Sequence, residues 1–469
     1  MNALPPSFLD ALTGALGASG VLTGDAIAPL HNTDWSGTAP RRPLALLRPT
    51  NTDQVADALR VCHAHRVPVV PQGGMTGLAG GAVPTAGAVA LSLQRMCAVE
   101  NVDATAGTLV CQAGATLQTV QEAAAEAGCA FGVDLGARGS CQIGGTLATN
   151  AGGNGVVQFG MMREQALGLE VVLADGTVLD MMRPMRKNNT GYDLKQWFIG
   201  SEGTLGVVTR ALLQLHPVPR ARATVLVALG DYVSAMEMLG RLKGRFPGMV
   251  SAFELMWEDF HRFALQATGV PAPFAKDHPF IALAEVGGQD DAELQRALEQ
   301  VLEAAMEDAL VLDAVLPQSA AQAAALWRVR EATAEIPCHM KPINFDISLP
   351  LRAIGNFAVR CEHELSARWP GQRSLRFGHL GDGNLHLSTD ALSLGELSFE
   401  DAEREVEALV YGLVAQAGGS VSAEHGVGLH KKPYLKFSRS TAELAAMRAI
   451  KHALDPLHIL NPGKVFDAA

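Results

Sequence analysis

Between residues 136 and 156 the chain reads GARGSCQIGGTLATNAGGNGV, and eight of these twenty-one residues are Gly or Ser. A stretch so poor in large side chains has no core of its own to bury. Two further stretches are glycine-rich in the same way, PQGGMTGLAGG at 71–81 and FIGSEGTLGVVT at 198–209. Glycine allows backbone to approach a ligand closely, and successive N–H groups in such loops can converge on an anion. Each stretch alone reads as a tight loop. Three of them within 140 residues, in a chain of 48 glycines, favour one large ligand whose polar edges need backbone hydrogen bonds. The first stretch lacks the Lys-Ser/Thr ending of a P-loop and does not match G-x-G-x-x-G, so it points to no particular nucleotide motif.

The 469 residues suffice for two or three domains, and 48% hydrophobic against 18% charged residues describes a globular chain. A net charge of −11 argues against a nucleic-acid partner or an anionic membrane surface. The seven cysteines (Cys62, Cys97, Cys111, Cys129, Cys141, Cys338 and Cys361) form no C-x-x-C pair, which fits a reduced, cytoplasmic protein. The N-terminal MNALPPSFLDALTGALG lacks a basic region and a long apolar core, so no signal peptide is expected. No apolar run approaches the roughly 18–20 residues of a transmembrane helix.

TNTDQVADALRVCHAHR reads as a helix capped by Thr50 or Thr52, with Val55, Leu59 and Cys62 buried. VPVVPQGG, GAVALSL and TLVCQAG read as strands, and GLEVVLADGTVLD as a hairpin turning at Asp175-Gly176. TLQTVQEAAAEAG is a second helix stopped by Gly128. LHPVPRARA, at 215–223, marks a boundary because its prolines break the pattern. Beyond it, QDDAELQRALEQVLEAAMEDAL is amphipathic, with Leu294, Leu298, Val301, Leu302 and Met306 on one face. INFDISLP alternates, placing Asn344, Asp346 and Ser348 on a polar face. Two helices close the chain, one ending at Gly418-Gly419 and the other at Pro456.

PQGGMTGLAGG, GSCQIGGTLATNAGG and GSEGTLG, in that order, resemble the FAD-binding domain of the vanillyl-alcohol oxidase/p-cresol methylhydroxylase flavoproteins. The run LGLEVVLADGTVLD…RKNNTGYDLKQWFIGSEGTLG, at 168–206, resembles that family's D-2-hydroxyglutarate and D-lactate dehydrogenase branch, and 376–464 match as well. The resemblance implies an α+β fold: a two-subdomain FAD-binding domain over 1–217, an antiparallel-sheet substrate (cap) domain over 218–420, and a helical C-terminal segment over 421–469 that completes the active site. It implies that FAD is held by Pro71, Gly73, Gly74, Thr76 and Gly77 of the first loop and by Gly136, Ser140, Gly144, Gly145, Thr149, Asn150, Gly152 and Gly153 of the second. Glu202, Gly203, Gly206 and Asn461 complete that set. Some relatives attach FAD through a histidine in the first loop; Gln72, Gly73 and Gly74 stand there, so non-covalent FAD is implied.

RFGHLGDGNLHLS, at 376–388, carries two histidines seven positions apart. On one straight strand they would point to opposite faces. A hairpin turning at Asp382-Gly383, a favoured type I′ pair, sets His379 opposite His386 and Leu380 opposite Leu385. Two imidazoles on one face can share a divalent ion at about 2.0–2.1 Å, or simply pack on a sheet. SVSAEHGVGLH adds Glu424 and His425, which point apart on extended backbone. The resemblance implies that His379, His386 and Glu424 are metal ligands and that His425 is catalytic. Zinc suits two histidines and a carboxylate first, with manganese and iron also suited. Arg330, in a W-x-x-R-E pattern, is implied as the substrate-carboxylate anchor, with Arg328 on a solvated face.

The implied reaction is oxidation of a D-2-hydroxy acid to the 2-oxo acid, with His425 as base and flavin N5 as hydride acceptor. The chain departs from the D-2-hydroxyglutarate pattern at Asn344, where a lysine is usual, at Ala334 beside Thr333, where a threonine is usual, and at Ser388, where an asparagine is usual. Asn344 and Ser388 are therefore the expected substrate contacts, with Lys341 a candidate replacement cation. D-lactate, or a flavin subunit of a glycolate-oxidase-like complex, is the alternative. A metallohydrolase built on His379, His386 and Glu424 leaves the glycine clusters unexplained. An electron-transfer flavoprotein or a quinone is the expected acceptor, and a homodimer is compatible with the sequence.

Overall fold

The computed structural model describes residues 4–185 and 187–467, and they fall into two compact units. The first comprises 1–153, 159–218 and 424–469. It contains a four-stranded sheet in the order Val21–Leu22, Leu46–Leu47, Val89–Ser92, Val69–Gln72, whose last three strands run parallel. It also contains a five-stranded antiparallel sheet in the order Val99–Asp103, Thr108–Gln112, Val207–Gln214, Ala166–Val172, Val178–Asp180. Leu47, Val69, Val89 and Leu91 from one sheet share a core with Leu109, Leu169, Val171 and Leu213 from the other. The C-terminal segment rejoins this unit: Leu460 bridges to Val69, and Asn461 N–H donates to the Val69 carbonyl at 2.8 Å.

The second unit comprises 154–158 and 219–423. Its seven strands are all antiparallel, in the order Asp313–Val315, Ala221–Leu229, Phe280–Gly288, Val250–Trp257, Ser374–His379, Asn384–Asp390, Pro342–Ser348. Helices Glu258–Thr268 and Ala320–Arg330 pack one face of it, through Phe260, Ala264, Leu326 and Val329 against Leu283, Met256 and Phe377. The whole is an α+β fold. Among the described residues no helix is long and apolar enough to cross a membrane.

The expected helices and strands form, with local corrections. Helix Thr52–His65 buries Val55, Leu59 and Cys62, but Asn51 caps it, its Oδ1 accepting from Gln54 N–H at 2.9 Å. Thr52 instead donates to Glu170 at 2.5 Å, and Asn is the stronger cap. The 166–180 hairpin turns one residue early: Gly176 N–H donates to the Leu173 carbonyl, and Gly176 is the left-handed residue at φ +82°. Helix Asp291–Glu307 buries Ala305 and leaves Met306 47% exposed. At 3.6 residues per turn, Met306 lies about 120° around the helix from Leu294, which carries it off the buried stripe.

Candidate active site

In the first unit the three glycine stretches meet. Strand Val69–Gln72 delivers Gly73 and Gly74 against the second stretch: a Cβ on Gly74 would lie 1.9 Å from the Ser140 carbonyl oxygen, and one on Gly73 would lie 3.5 Å from the Gly145 Cα. The third stretch touches the first through Gly203, left-handed at φ +70°, whose Cβ would meet Pro71 Cγ at 3.1 Å. Asn461 fastens the junction, its Nδ2 donating to the Gly81 carbonyl at 3.0 Å and the Glu202 carbonyl at 2.7 Å. Gly144 and Gly206 instead serve packing, against Ala113 and against Val171 and Phe198. Gln72 is buried among His31 and Ala82, holding Nδ1 of His31 at 2.8 Å and the two backbone carbonyls at 2.9 and 3.1 Å.

Glu202 is buried, and its carboxylate accepts from Val427 N–H at 2.7 Å and Gly428 N–H at 2.8 Å. Burial raises its pKa above the ordinary carboxylate value, against the pull of those two amides. Thr149 Oγ donates back to the Gly145 carbonyl at 3.2 Å, and Asn150 Oδ1 accepts from Arg163 N–H at 2.9 Å. Gly153 N–H donates to Glu424 Oε2 at 3.1 Å. Gly136 and Gly145 face open space where a Cβ would project, and Gln142 Oε1 and Asn461 Oδ1 are buried acceptors without a protein donor. A cradle lined by small residues, with polar atoms awaiting partners, fits a flavin dinucleotide.

In the second unit the histidine hairpin turns elsewhere than the type I′ reading expects. Phe377, not His379, lies opposite His386. The loop is Leu380–Gly383, with Gly383 N–H donating to the Leu380 carbonyl at 3.4 Å and only Gly383 left-handed, at φ +88°. Asp382 accepts from Asn384 N–H at 3.2 Å, which holds a four-residue turn in place of the two-residue one. Moving the turn centre by one residue moves each partner by two, so both histidines still share a face. Their ring centroids are 5.4 Å apart at 81°, and His386 stacks on Phe377 at 5.0 Å. Two imidazoles so placed can share a divalent ion.

Behind His379 stands Glu254, which sequence reasoning missed. It is directly opposite His379 in the sheet and 1% exposed. Its Oε1 lies 2.8 Å from His379 Nδ1, and its Oε2 accepts from Arg330 Nε at 2.8 Å. Arg330 Nη2 lies 2.7 Å from the same oxygen, too poorly aligned for a hydrogen bond, and is buried. Burial alone would raise the Glu254 pKa; His379 and Arg330 overcome that and hold it below the ordinary value. The one signal in the sequence is an acid inside the apolar run FELMW at 253–257.

The polar face expected of the 342–348 strand is not open to solvent at Asp346, which is 1% exposed. Asp346 accepts from Asn384 Nδ2 at 3.0 Å, Ser422 Oγ at 3.4 Å and Ala423 N–H at 3.2 Å, and it lies opposite His386. Asn344 and Ser388 pair with each other at 2.6 Å. Lys341 lies over the Phe399 ring at 4.4 Å, and Arg328 is exposed.

Residues 43–182 match the family described as "FAD binding domain" and residues 218–465 that described as "FAD linked oxidases, C-terminal domain". A D-2-hydroxyglutarate dehydrogenase of Xanthomonas citri pv. viticola is 40% identical over 93% of this chain and 92% of its own. One from Stutzerimonas stutzeri is 36% identical over 99% of each chain. Among solved structures, p-cresol methylhydroxylase with substrate bound shares the fold at a TM-score of 0.73 and 17% identity, over 98% of this chain and 96% of its own.

Proposed function

This chain belongs to the FAD-linked oxidases, and on that premise we propose that it oxidises a D-2-hydroxy acid, D-2-hydroxyglutarate first among them, to the 2-oxo acid. The observation that carries the substrate class is the sharing of one buried carboxylate, Glu254, by Arg330 and His379 at 2.8 Å each. It sets a fixed guanidinium beside an imidazole suited to a metal. A 2-hydroxy acid presents the matching pair, a carboxylate next to a hydroxyl.

The three glycine stretches would hold FAD without a covalent bond, and FAD would supply the two-electron oxidising chemistry. His379, His386 and Glu424 would hold a divalent ion, zinc first, which would supply Lewis-acid chemistry at the hydroxyl. Arg330 pairs with the substrate carboxylate and fixes its orientation. His425 accepts the hydroxyl proton on a ring nitrogen, so the alcohol loses one proton to the protein and one hydride to the acceptor. Asn344 and Ser388 lie at the far end of the substrate.

D-lactate is the second reading, because the Asn344–Ser388 pair is neutral and Lys341 rests on Phe399. A short monoacid needs no second cation. A larger electron carrier, an electron-transfer flavoprotein or a quinone, takes the electrons onward, either from this chain as a homodimer or from a larger complex. The seven cysteines are free, five of them buried.

The test is anaerobic mixing of the purified protein with D- and L-2-hydroxy acids while following flavin absorbance, before and after a chelator. Bleaching by one D-acid, abolished by the chelator and restored by zinc, is expected. A colourless protein that takes up no FAD would overturn the reading.

A further inference from the structure

The sheet places Glu254 directly opposite His379, with one oxygen on the imidazole and the other on Arg330. Resting on the function proposed above, we propose that Glu254 is the positioning residue of this site: it fixes the ring of His379 for metal binding and the head of Arg330 for the substrate carboxylate.

An ionised carboxylate only accepts hydrogen bonds, so the ring nitrogen facing Glu254 must carry the proton. That nitrogen is Nδ1, at 2.8 Å. The neutral tautomer then has its lone pair on Nε2, the form in which a histidine ligates a cation. A carboxylate behind a ligating histidine also fixes the ring plane and raises the basicity of the ligating nitrogen.

Glu254 is suited to this by its own rigidity. It sits on an interior strand, between Phe280–Gly288 and Ser374–His379, and is 1% exposed. Its second oxygen is held by a guanidinium that is itself 5% exposed and lies 5.0 Å from the Phe377 ring. Neither arm has room to swing. A purely structural ion pair would need only the arginine; the histidine contact gives the carboxylate two clients in one site. Loss of the acid should therefore weaken metal binding and substrate binding together.

The test is zinc affinity of the full FAD-loaded chain, by competition with a chromophoric chelator, in the native protein and in Glu254→Gln, alongside KM and kcat. A carboxamide can present its oxygen to His379 or to Arg330 but not to both. Zinc affinity is expected to fall roughly 10- to 100-fold, and KM to rise, with flavin content unchanged. Zinc affinity within threefold of native, with KM unchanged, overturns the inference. Should Glu254→Gln not fold, Glu254→Asp keeps the charge and shortens the reach, and the same two thresholds decide. If the native chain itself binds no zinc, the metal reading fails and the inference falls with it. Native binding with an unaffected variant removes the inference alone.

Discussion

Gly74 sits so close to Ser140 that a Cβ on it would lie 1.9 Å from the Ser140 carbonyl oxygen. No side chain fits there, so the first glycine stretch can seat on the second only as glycine. Gly145, in the same junction, faces open space. The two glycines thus separate a requirement of folding from a requirement of ligand.

Gly74→Ala is expected to push the stretches apart, at a cost of about 1–3 kcal/mol for overpacking, and to release FAD. Gly145→Ala is expected to leave the unfolding midpoint of flavin-free protein unchanged while weakening FAD binding by roughly tenfold, about 1.4 kcal/mol. Thermal melts and FAD titration check both. A Gly145→Ala protein that binds FAD normally removes Gly145 from the cradle.

Lys451 ties the third glycine stretch to the chain's end. Its Nζ donates to the Thr204 carbonyl at 2.7 Å, the Leu460 carbonyl at 2.9 Å and Asp455 at 2.5 Å. Asp455 is fully buried. Asp455→Asn leaves the ammonium uncompensated and should cost about 3–5 kcal/mol in urea unfolding. Adding Lys451→Met should recover much of it, because the stranded charge is then gone.

Much of this site is readable along the chain because it is local or periodic. The glycine stretches announce themselves by composition, and His379 and His386 share a hairpin short enough to reason about. The hairpin also shows the limit: a Gly at the left-handed position suits both a two-residue and a four-residue turn, and the Asp382 bond to Asn384 N–H selects the longer one. Parity survives the slip, so the pairing of faces is legible while the opposed partner is not. The partner of Glu254 is hidden for another reason. The acid's meeting with His379 depends on which strands are neighbours in a seven-stranded sheet, a fact set by tertiary packing and by no local pattern. Asp346 reads as a solvent-facing residue because alternation reports the side of a strand, not what covers that side.

Lys464 supplies a pH signature. Its Nζ donates to the Val83 carbonyl at 2.7 Å, and burial depresses its pKa from 10.5 to about 8, opposed by Asp34 and Glu202. The folded value lies below the unfolded one, so between about 8 and 10.5 the unfolded chain binds more protons. Stability from this group therefore rises with pH through that window, by roughly 3 kcal/mol. Relative to Lys464→Met, the native protein should gain in urea unfolding free energy from pH 8 upward and show a constant difference below it. A flat difference would mean that the ammonium is not depressed.

His425→Ala should keep FAD and zinc yet lower kcat by roughly 10²–10⁴-fold, the usual contribution of a positioned base. Retained turnover, measured by flavin bleaching in a single cycle, assigns the proton to another group.

Arg330 is the residue whose substitution best separates binding from folding. It is 5% exposed, and its guanidinium is the counter-charge of a carboxylate that is 1% exposed. Arg330→Met strands Glu254 and should cost about 3–5 kcal/mol of stability, so a lost activity in that variant carries little information. Arg330→Lys keeps the charge but replaces a planar fork with a point charge, and two parallel hydrogen bonds to a substrate carboxylate become impossible. Hydrogen bonds to charged groups contribute about 1.5–3 kcal/mol, so KM for the D-acid should rise roughly 10- to 100-fold, with a smaller change in kcat and an unfolding midpoint near native. Steady-state kinetics on the lysine variant measure this directly. An unchanged KM means that the substrate carboxylate is anchored elsewhere and that Arg330 serves Glu254 alone.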